Sequence, residues 1–328
     1  MFAVHHDEEA RNVLYSPRPG GSPSLIGVSF IVTVYNKRPY LTDVLAAVRG
    51  QRGDFAREYV IVDDGSTDGS LGLMRDLTAG WENCRIIPQQ NQGASAAMNN
   101  AVAAASLSYL KLVDADDVLA PNATHRLLGA MTESGAVLAI GTGDVYQPGQ
   151  TFAWPGDEAP VAWQLMRAPL KRMLRSNTLM NPSTMLLRRE DYLRVGGADE
   201  SVCCQDYSIA LPLAQLGDFV YLPAVIAAQP VAAPGRLTDN QARILHDVTM
   251  ALGHFIDRHP ELSAPERAYA VQRAALRAML WARRHGHIGD ALRYAVITAA
   301  ARVKIVHDPA QTILGCCAAF GYRPPVRA

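Results

Sequence analysis

The sequence predicts an α/β protein in which helices flank a mostly parallel β-sheet, followed by an α-helical C-terminal region. Short β-branched runs alternate with helical segments between residues 28 and 113, and this alternation is typical of a parallel sheet covered by helices. Two of the runs end abruptly in acidic residues, at 63–68 and at 114–117. Beyond residue 235 only helical patterns remain.

The N-terminal half carries the alternating elements. Its β-branched and aromatic content predicts strands at 28–34, 59–62, 85–87 and 109–113. Helices are predicted between them, over 40–49, 70–78 and 94–105. The preceding residues, 1–24, are polar and end in a stretch rich in Pro, Gly and Ser. We therefore expect a flexible lead-in before the first strand.

After residue 117 the pattern loosens. A helix is predicted over 122–132, an apolar run follows at 137–140, and a loop rich in Pro and Trp spans 146–163. A second loop is predicted over 196–206, ahead of a helix over 207–216. The Pro-Gly segment at 231–235 marks a boundary, beyond which helices are predicted to begin near Asp239, Ala264, His287 and Ala310.

Composition and charge bound the class of protein. A chain of 328 residues, 49% of them hydrophobic, can bury a large core. The formal net charge is zero, but residues 241–328 hold 12 Arg and Lys against 6 Asp and Glu, so this segment carries +6 and the rest −6. The asymmetry points to an anionic surface or partner for the C-terminal region. We predict no nucleic-acid partner, and the oligomeric state stays open.

The five cysteines and the N-terminal sequence bear on the cellular compartment of the protein. Four of the cysteines form two adjacent pairs and none has CxxC spacing, which favours a reducing environment without a structural zinc site. The N-terminus lacks the basic and apolar segments of a secretory signal. No uninterrupted apolar run of about 18 residues appears. We expect a cytoplasmic protein, with peripheral attachment to the inner face of the membrane left open.

The second acidic cluster is the strongest chemical signal. Residues two apart in an extended segment face the same side, so Asp114 and Asp116 can address one ligand. Their mutual repulsion favours a divalent cation between them, because hard cations prefer oxygen ligands. The alternative is a helix start, where Asp is a common cap and Pro121 follows shortly.

The first acidic cluster and a small-residue loop add weaker signals. Asp63 and Asp64 come at the end of a predicted strand. A strand-to-helix turn with a capping residue would produce the same sequence pattern. Asn91 and Gly93 precede a helix whose N-terminus could receive a phosphate, or simply cap it. The chain has no GxxxxGK[ST] loop and no GxGxxG after a strand, which disfavours P-loop and dinucleotide-binding enzymes.

Taken in order, these motifs resemble those of the family 2 glycosyltransferases. The resemblance covers about residues 28–230, roughly two-thirds of the chain, and the motifs that carry it are Thr33-Val-Tyr35-Asn36, Asp63-Asp-Gly-Ser-Thr-Asp68, Asn91-Gln-Gly-Ala-Ser, Asp114-Ala-Asp116-Asp117, Asn181-Pro-Ser-Thr-Met-Leu-Leu-Arg-Arg189, Val195-Gly-Gly-Ala-Asp-Glu200 and Gln205-Asp206-Tyr. It implies the Rossmann-like GT-A fold and inverting transfer from a nucleotide-diphosphate sugar. It also implies a catalytic domain over 25–235, with a nucleotide-sugar half (25–120) and an acceptor half (121–235), before a basic helical region over 236–328.

The resemblance also implies roles for individual residues. Thr33 and Tyr35 would line the pocket of the base and ribose, and Asp64 would bond a uracil-type base edge. Asp116 would bind Mn²⁺ or Mg²⁺ bridging the diphosphate, with Asp114 near the ribose or in the metal's outer shell. Asp206 matches the acidic residue that deprotonates the acceptor hydroxyl. The remaining implied site residues are Asp63, Asn91 and Gly93 on the donor side, and Asp199 and Gln205 on the acceptor side.

Three positions depart from the family pattern. Gln205 stands where a Glu usually precedes the presumed base, which removes one negative charge. Ala198 replaces the usual aromatic residue before the Asp-Glu pair, and Met98 stands where an Arg is frequent. These changes predict a roomier acceptor pocket and one fewer cation facing the phosphates.

The leading interpretation is a metal-dependent transferase that moves a sugar from a UDP-type donor to a saccharide or lipid-linked acceptor in cell-surface polysaccharide or lipopolysaccharide assembly. Two other functions compete with it. One is a catalytically degenerate scaffold that still binds nucleotide sugars. Retention of both Asp116 and Asp206 argues against it, because a binding module needs no base. The other is a nucleotidyltransferase, which would want a glycine-rich cationic loop after the first strand. Lys37 and Arg38 provide the cations there without the glycines.

The basic C-terminal helices also admit two interpretations. Arg273, Arg277 and Arg284 share one face of the predicted helix that begins near Ala264. This face could dock on an anionic membrane surface where a lipid-linked acceptor resides. Alternatively, the helix packs on the catalytic domain or a second subunit, with its arginines in solvent.

Overall fold

The computed structural model describes residues 26–147, 152, 154, 161–175, 181–231 and 240–322. In this part of the chain, nine strands form one sheet. They are β1 (Gly27–Val34), β2 (Ala56–Asp63), β3 (Cys84–Pro88), β4 (Tyr109–Asp114), β5 (Val118–Leu119), β6 (Leu138–Tyr146), β7 (Gln164–Met166), β8 (Met185–Arg188) and β9 (Phe219–Pro230).

Helices cover both faces and extend beyond the sheet. They are α1 (Leu41–Arg49), α2 (Ser70–Leu77), α3 (Ala94–Ala104), α4 (Ala123–Ser134), α5 (Leu170–Arg175), α6 (Arg189–Arg194), α7 (Gln205–Leu216), α8 (Gln241–Arg258), α9 (Ala264–Arg284), α10 (Ile288–Arg302) and α11 (Pro309–Cys316). Short 3₁₀ turns lie at Pro182–Thr184 and Cys317–Phe320. Among the described residues, no helix is both long enough and apolar enough to cross a bilayer.

The sheet has a parallel half and a mixed half. Its order is β3-β2-β1-β4-β8-β6-β9-β5, with β7 pairing β9 outside this path. The strands β3, β2, β1 and β4 are all parallel. Beyond them β8 runs antiparallel to both neighbours, and β6 and β9 are parallel to each other. The predicted α/β class is therefore confirmed, with the long parallel stretch confined to the N-terminal half.

Local sequence explains the elements that were predicted. In β1 every residue except Thr33 is buried, as expected for a strand covered on both faces. In α1 the buried residues are spaced three and four apart, which turns one apolar face to the sheet; they are Leu41, Val44, Leu45 and Val48. All seven elements predicted before residue 114 are present, with ends within three residues of the expected positions.

The second half was predicted less completely. Strands β5, β7, β8 and β9 and helices α5 and α6 were not anticipated. Helix α7 begins at Gln205 rather than at residue 207, so the end of the predicted loop is the first helical turn. The predicted lead-in over 1–24, most of the loop at 146–163 and most of the boundary at 231–235 lie outside the described residues.

The C-terminal helices pack on the layer of helices that covers one face of the sheet, with α8 against α7 and α9 against α5. One continuous apolar cluster joins sheet residues such as Ile31 and Val62 to buried residues of α8, α9 and α11, among them Leu252, Ala274 and Ile313. A second cluster on the opposite sheet face includes α1 and α4. Residues 240–322 therefore complete the cover of one sheet face.

Because of this packing, Arg273, Arg277 and Arg284 do not form the solvent-exposed basic face that was predicted for α9. The side chain of Arg277 is partly buried and donates a hydrogen bond to Thr249 Oγ1 of α8 at 2.8 Å. Arg273 is also partly buried, and only Arg284 is exposed. The helix contacts α5, α8, α10 and α11, and neighbours on several sides leave no room for its arginines to form one free surface.

Candidate functional site

The strand register brings the predicted site residues to one edge of the sheet. Thr33 lies opposite Asp114 of β4 on one side and opposite Val62 of β2 on the other. Val34 lies opposite Asp63, so Asp64 and Tyr35 come directly after paired strand ends. These residues share the carboxyl edge of parallel strands, where open α/β sheets bind ligands.

A cluster of carboxylates dominates this edge. Burial raises the pKa of Asp114 well above its usual range, and the nearby charges of Asp117, Asp116 and Asp206 raise it further. Asp206 comes from α7, about ninety residues later in the chain. The fold thus brings together the two acidic positions predicted to hold the metal and to take the acceptor proton.

Lys37 supplies positive charge to this cluster. Its Nζ lies 2.5 Å from Asp116 Oδ2, and it lowers the pKa of Asp114. Lys37 follows β1 in the loop that also carries Asn36, and its backbone N–H donates to Ser70 Oγ at 3.1 Å. The lysine is therefore anchored close to the cluster by the start of α2.

The same edge offers oxygen ligands for a divalent cation. No group of three or more His, Cys, Asp and Glu side chains arranged to hold a metal is found among the described residues. Asp114 and Asp116 nevertheless fit a cation that is completed by other oxygens, because Mg²⁺ commonly keeps several waters and binds one or two carboxylates plus substrate phosphates. The mutual repulsion in the cluster favours such a cation.

Asp64 organises the loop that precedes α3. Its Oδ1 accepts from Gln89 Nε2 and from the Gln92 N–H, both at 2.8 Å, and its Oδ2 accepts from the Gly93 N–H at 2.9 Å. A carboxylate has about four acceptor sites, so one site remains for a ligand. The backbone beside the exposed Asn91 is thereby fixed at the sheet edge.

Asp63 has a different environment from its neighbour. Its Oδ2 accepts from the Ser66 N–H at 3.2 Å, which closes the turn after β2. Its Oδ1 is buried and has no hydrogen-bond partner among the described residues. A buried carboxylate oxygen without a donor is costly, so a ligand with an N–H or O–H group would be favoured there.

Tyr35 and Asn36 shape the entrance to this edge. The Tyr35 side chain is 49% exposed, unusual for an aromatic residue directly after a buried strand. Asn36 adopts a positive φ of 52° and accepts a hydrogen bond from the Thr67 N–H at 2.8 Å through its side chain. Asparagine tolerates this left-handed conformation, and the contact joins the loops after β1 and β2.

Asp206 lies in the first turn of α7. Its Oδ1 accepts from the Tyr207 N–H at 2.8 Å. Burial raises the pKa of Asp206 to about 6, although the hydrogen bond from the Tyr207 backbone opposes this shift. A carboxylate poised near neutral pH can accept a proton more readily than an ordinary Asp. Gln205 is buried beside it and leaves no second acid at this position.

The loop before α7 is fixed from two sides. From α3, Ser95 Oγ donates to the Val202 carbonyl at 2.7 Å and Asn99 Nδ2 donates to the Ala198 carbonyl at 3.0 Å. From α8, Asp247 Oδ2 accepts from the Cys203 N–H at 2.9 Å. The loop that leads to Asp206 is thus held between the sheet domain and the C-terminal helices.

Asp199, which is predicted on the acceptor side, also belongs to this support. Its carboxylate accepts from the Ser201 N–H and Oγ, and His254 Nδ1 of α8 lies 2.8 Å from Oδ2. The hydrogen bonds with His254 and Ser201 hold the pKa of Asp199 well below its usual range, against the effect of burial. These partners within the protein occupy acceptor sites of the Asp199 carboxylate.

Lys111 is a site-proximal residue that the sequence interpretation missed. It is fully buried in β4, and its Nζ donates to the Ser183 and Leu112 carbonyls at 2.5 and 2.8 Å. Burial lowers its pKa to about 7, while Asp117 and Asp114 oppose that shift. The sequence did contain a signal for this residue, a single lysine inside the apolar run 109–113. A lysine is rarely fully buried unless it is paired.

The 3₁₀ turn at Pro182–Thr184 connects this lysine to the carboxylates. Asn181 Oδ1 accepts from the Ser183 N–H at 2.7 Å and caps the turn. Ser183 Oγ in turn accepts from the Asp114 N–H at 2.9 Å. Lys111 and Ser183 therefore fix the backbone on which Asp114 lies.

Several bacterial proteins are similar in sequence to this chain. Over 212 residues the chain is 26% identical to glycosyltransferase GlyG of Streptococcus pneumoniae, covering 60% of this chain and 69% of that protein. Over 115 residues it is 35% identical to the teichoic acid poly(glycerol phosphate) polymerase of Staphylococcus epidermidis, covering 34% and 16%. The chain spans 29% and 43% of the length of two further bacterial relatives.

Solved structures share the fold. TarS 1–349 of S. aureus, crystallised with UDP-GlcNAc, aligns with a TM-score of 0.55 at 16% identity, covering 84% of this chain and 92% of that one. The mannosyltransferase PcManGT of Pyrobaculum calidifontis, in complex with GDP-Man and Mn²⁺, aligns with a TM-score of 0.54 at 18% identity, covering 90% and 85%.

A family model defines the relationship. The model described as "Glycosyl transferase family 2" matches residues 29–197, about half of the chain. The matched segment contains β1 to β4 and the carboxylates at their ends. The chain belongs to glycosyl transferase family 2.

Proposed function

We propose that the protein transfers a sugar from a nucleotide-diphosphate sugar to an acceptor hydroxyl, with inversion at the anomeric carbon. The observation that carries this proposal is the position of Asp206, a carboxylate with a pKa of about 6 that lies in electrostatic contact with Asp114 at the carboxyl edge of the sheet. A base beside a donor site is what an inverting displacement requires, and a binding protein would not need one.

The donor would bind between the ends of β1 and β2 and the loop before α3. Tyr35 offers an exposed ring for the base, with Thr33 beside the ribose. Asp63 Oδ1 or the remaining acceptor site of Asp64 would accept a hydrogen bond from the single N–H of a uracil-type base edge. Asn91 and Gly93 border the same pocket. The UDP-GlcNAc complex of TarS supports a UDP donor, whereas the GDP-Man complex of PcManGT makes GDP sugars the alternative to test.

Asp116 would hold a divalent cation, Mn²⁺ or Mg²⁺, with Asp114 in support. When bound, the cation neutralises charge on the diphosphate as the leaving group departs. Lys37 contacts Asp116 directly, so its ammonium can also compensate charge in this region. The Mn²⁺ in the PcManGT complex supports metal use in this fold.

Asp206 would accept the acceptor's proton as the hydroxyl oxygen attacks. Its first-turn position fixes the carboxylate through the Tyr207 N–H, and the supported loop before α7 limits its displacement. Attack from the side opposite the departing diphosphate in one step inverts the anomeric centre. The acceptor would therefore approach from the side of α7.

The acceptor would be a saccharide or a lipid-linked saccharide in cell-surface polysaccharide assembly. The teichoic acid polymerase among the sequence relatives supports this setting. The described cysteines are all free thiols, which supports a reducing, cytoplasmic location. Ala198 and Gln205 line the loop and first turn beside Asp206, so we expect them to affect acceptor choice rather than donor binding.

Release of nucleoside diphosphate from a panel of UDP- and GDP-sugars tests the proposal. We expect wild type to act on one nucleotide class in the presence of Mn²⁺. Asp206→Asn should lower the rate roughly 10²- to 10⁴-fold, the usual contribution of a positioned base, while donor affinity stays unchanged. Asp76→Asn, at an exposed position of α2, is the matched control.

The outcomes separate the competing functions. Donor binding without turnover in wild type, across a broad acceptor panel, would favour the degenerate scaffold. Activity that survives in Asp206→Asn would refute the assigned base and leave the transferase proposal standing. Formation of a nucleotide-sugar bond from a sugar phosphate and a nucleoside triphosphate would indicate a nucleotidyltransferase.

A further inference from the structure

The most exposed large hydrophobic side chains in the described part of the chain are concentrated in one segment. They are Ile288, Leu292, Val296, Val303 and Ile305, which are 59% to 70% exposed. Isolated exposed apolar residues are common on soluble proteins, but a contiguous group indicates an interaction surface. Four of the five fall in α10 or immediately after it.

Helix geometry makes these residues one surface. Ile288, Leu292 and Val296 are spaced by four residues, and Ala299 and Val303 continue the same side of the helix. The opposite side is buried against the protein through Ala291, Tyr294, Thr298 and Ala301. We call the group Ile288, Leu292, Val296, Ala299 and Val303 the α10 apolar face.

Positive charge surrounds this face. Residues 283–307 hold five Arg and Lys and a single Asp, a net charge of +4. On an ideal helix, Arg293 lies on one flank of the α10 apolar face and Arg302 on the other. Arg283, Arg284 and Lys304 lie near the two ends of the helix, and all five cations are exposed.

We propose that the α10 apolar face is a membrane-docking surface that binds anionic phospholipid. An apolar stripe with flanking Arg and Lys is the pattern of a helix that lies in the plane of a bilayer interface. Each Lys or Arg near an anionic leaflet contributes attraction on the order of 1 kcal/mol. A second copy of the chain is a poorer occupant, because two such faces would bring like charges together.

Docking in this way would orient the rest of the molecule toward a lipid-linked acceptor, a consequence that rests on the proposed function. Helix α10 packs on α9, and α9 packs on α8. Helix α8 carries the side chains of Asp247 and His254 that contact the loop before Asp206. The membrane-binding helix is therefore connected to the acceptor side of the site through two packed helices.

Vesicle flotation tests the proposal without any substrate. We expect wild type to float with phosphatidylcholine vesicles that contain phosphatidylglycerol, and to float less with pure phosphatidylcholine or at 0.5 M salt, as screening predicts at roughly that ionic strength. Leu292→Glu combined with Val296→Glu should weaken flotation about tenfold or more, because it removes insertion and adds repulsion.

Matched variants keep the test specific. Leu193→Glu changes a 48% exposed leucine of α6 and should float like wild type. Arg293→Glu with Arg302→Glu should lower flotation on anionic vesicles, whereas Arg75→Glu on α2 should not. Thermal unfolding checks that each variant is folded, and Leu292→Ser is the milder replacement if the double variant is not.

Failure here is distinct from failure of the proposed activity, since Asp206→Asn should float like wild type. Absence of binding to anionic vesicles would overturn the proposal, as would equal binding by the double Glu variant. A concentration-dependent dimer that the double Glu variant abolishes, without vesicle binding, would show that the face joins two copies instead.

Discussion

At the scale of single residues, the site depends on how burial and neighbouring charge alter ordinary carboxylates. Asp199 lies in the loop before α7 and Asp206 in the first turn of α7, yet their pKa values shift in opposite directions. Asp199 has His254 and two hydrogen bonds from Ser201, which stabilise its charged form. Burial favours the protonated form of Asp206, and the hydrogen bond from the Tyr207 N–H opposes this effect only in part. Of these two carboxylates, only Asp206 is therefore suited to exchange a proton near neutral pH.

The pH dependence of transfer follows from this difference. A base must be ionised to act, so kcat/KM should be level above about pH 6 and fall toward tenfold per unit below it, because the pKa of Asp206 is raised to about 6. The measurement is kcat/KM for the acceptor between pH 4.5 and 8. A profile that stays level to pH 4.5 would mean that the base is an ordinary Asp or another group.

The strand ends that carry acidic residues were predicted correctly from the sequence, whereas the roles of those residues stay predictions. Thr33 lies near the end of a predicted strand, and Asp63, Asp64, Asp114 and Asp116 follow predicted strands. The register of β1, β2 and β4 brings these strand ends to one edge. The partner of Asp199 could not be foreseen, because His254 lies 55 residues away in a helix whose orientation the sequence pattern does not define. Lys111 could have been noticed as a charge inside an apolar strand.

At the scale of elements, the proposed donor site depends on loops that follow adjacent strands and hold each other in place. Gly65, after β2, has a φ of +77°, and a Cβ there would lie 2.9 Å from the Asn91 backbone nitrogen. The close approach lets the Asp64 carboxylate reach the Gln92 and Gly93 N–H groups. A turn residue thereby determines the shape of the loop before α3.

Two glycine substitutions separate backbone strain from this contact. Gly80 has the same φ of +77° and no heavy atom within 4 Å of its added Cβ, so Gly80→Ala should cost only the roughly 1–2 kcal/mol of left-handed strain. Gly65→Ala should cost more than that and should also weaken donor binding. Urea unfolding and donor titration measure both effects. Equal unfolding energies with equal donor affinities would contradict the proposed role of this contact.

The loop before α7 provides a second element-scale test. His254→Ala removes the nearer of two α8 partners of Asp199, the other being Arg258 at 3.6 Å. We expect a loss of about 1.5–3 kcal/mol of stability, typical of a hydrogen bond to a charged group. Because the same loop leads to Asp206, kcat should fall while donor affinity stays unchanged. The control is His259→Ala, which removes a similar contact at 2.8 Å to the exposed Glu261 and should have little effect.

If both histidine variants behave alike in unfolding and in kcat, the contact between α8 and the loop has no special role.

Strands β8 and β9 show why such long-range support cannot be predicted from the sequence. β8 has only four residues, and the twelve-residue β9 is interrupted by Pro223. The strand pattern is therefore short in β8 and broken in β9. Their pairing with β4 and β6 comes from tertiary contacts.

At the scale of the whole molecule, the sheet domain and the C-terminal helices form one packed structure. The charge asymmetry correctly indicated a basic C-terminal region, but the sequence could not decide which helix presents its charge outward. Helix α9 is surrounded by other helices, and Arg277 contacts Thr249. Helix α10 retains the exposed apolar and basic surface. Periodicity defines a helix face, whereas only packing decides whether that face meets protein or solvent.

The central claim is that the carboxyl edge of this sheet binds a nucleotide-diphosphate sugar with a divalent cation on Asp116. Thermal unfolding with UDP, GDP and their sugar conjugates, with and without Mn²⁺, tests it most directly on wild type, Asp116→Ala and the control Asp76→Ala. We predict that one nucleotide class stabilises wild type and Asp76→Ala only with Mn²⁺, by about 2.7 kcal/mol at 100 times Kd, and that Asp116→Ala loses this effect. Stabilisation that is equal in Asp116→Ala, or absent with every nucleotide, would contradict the claim.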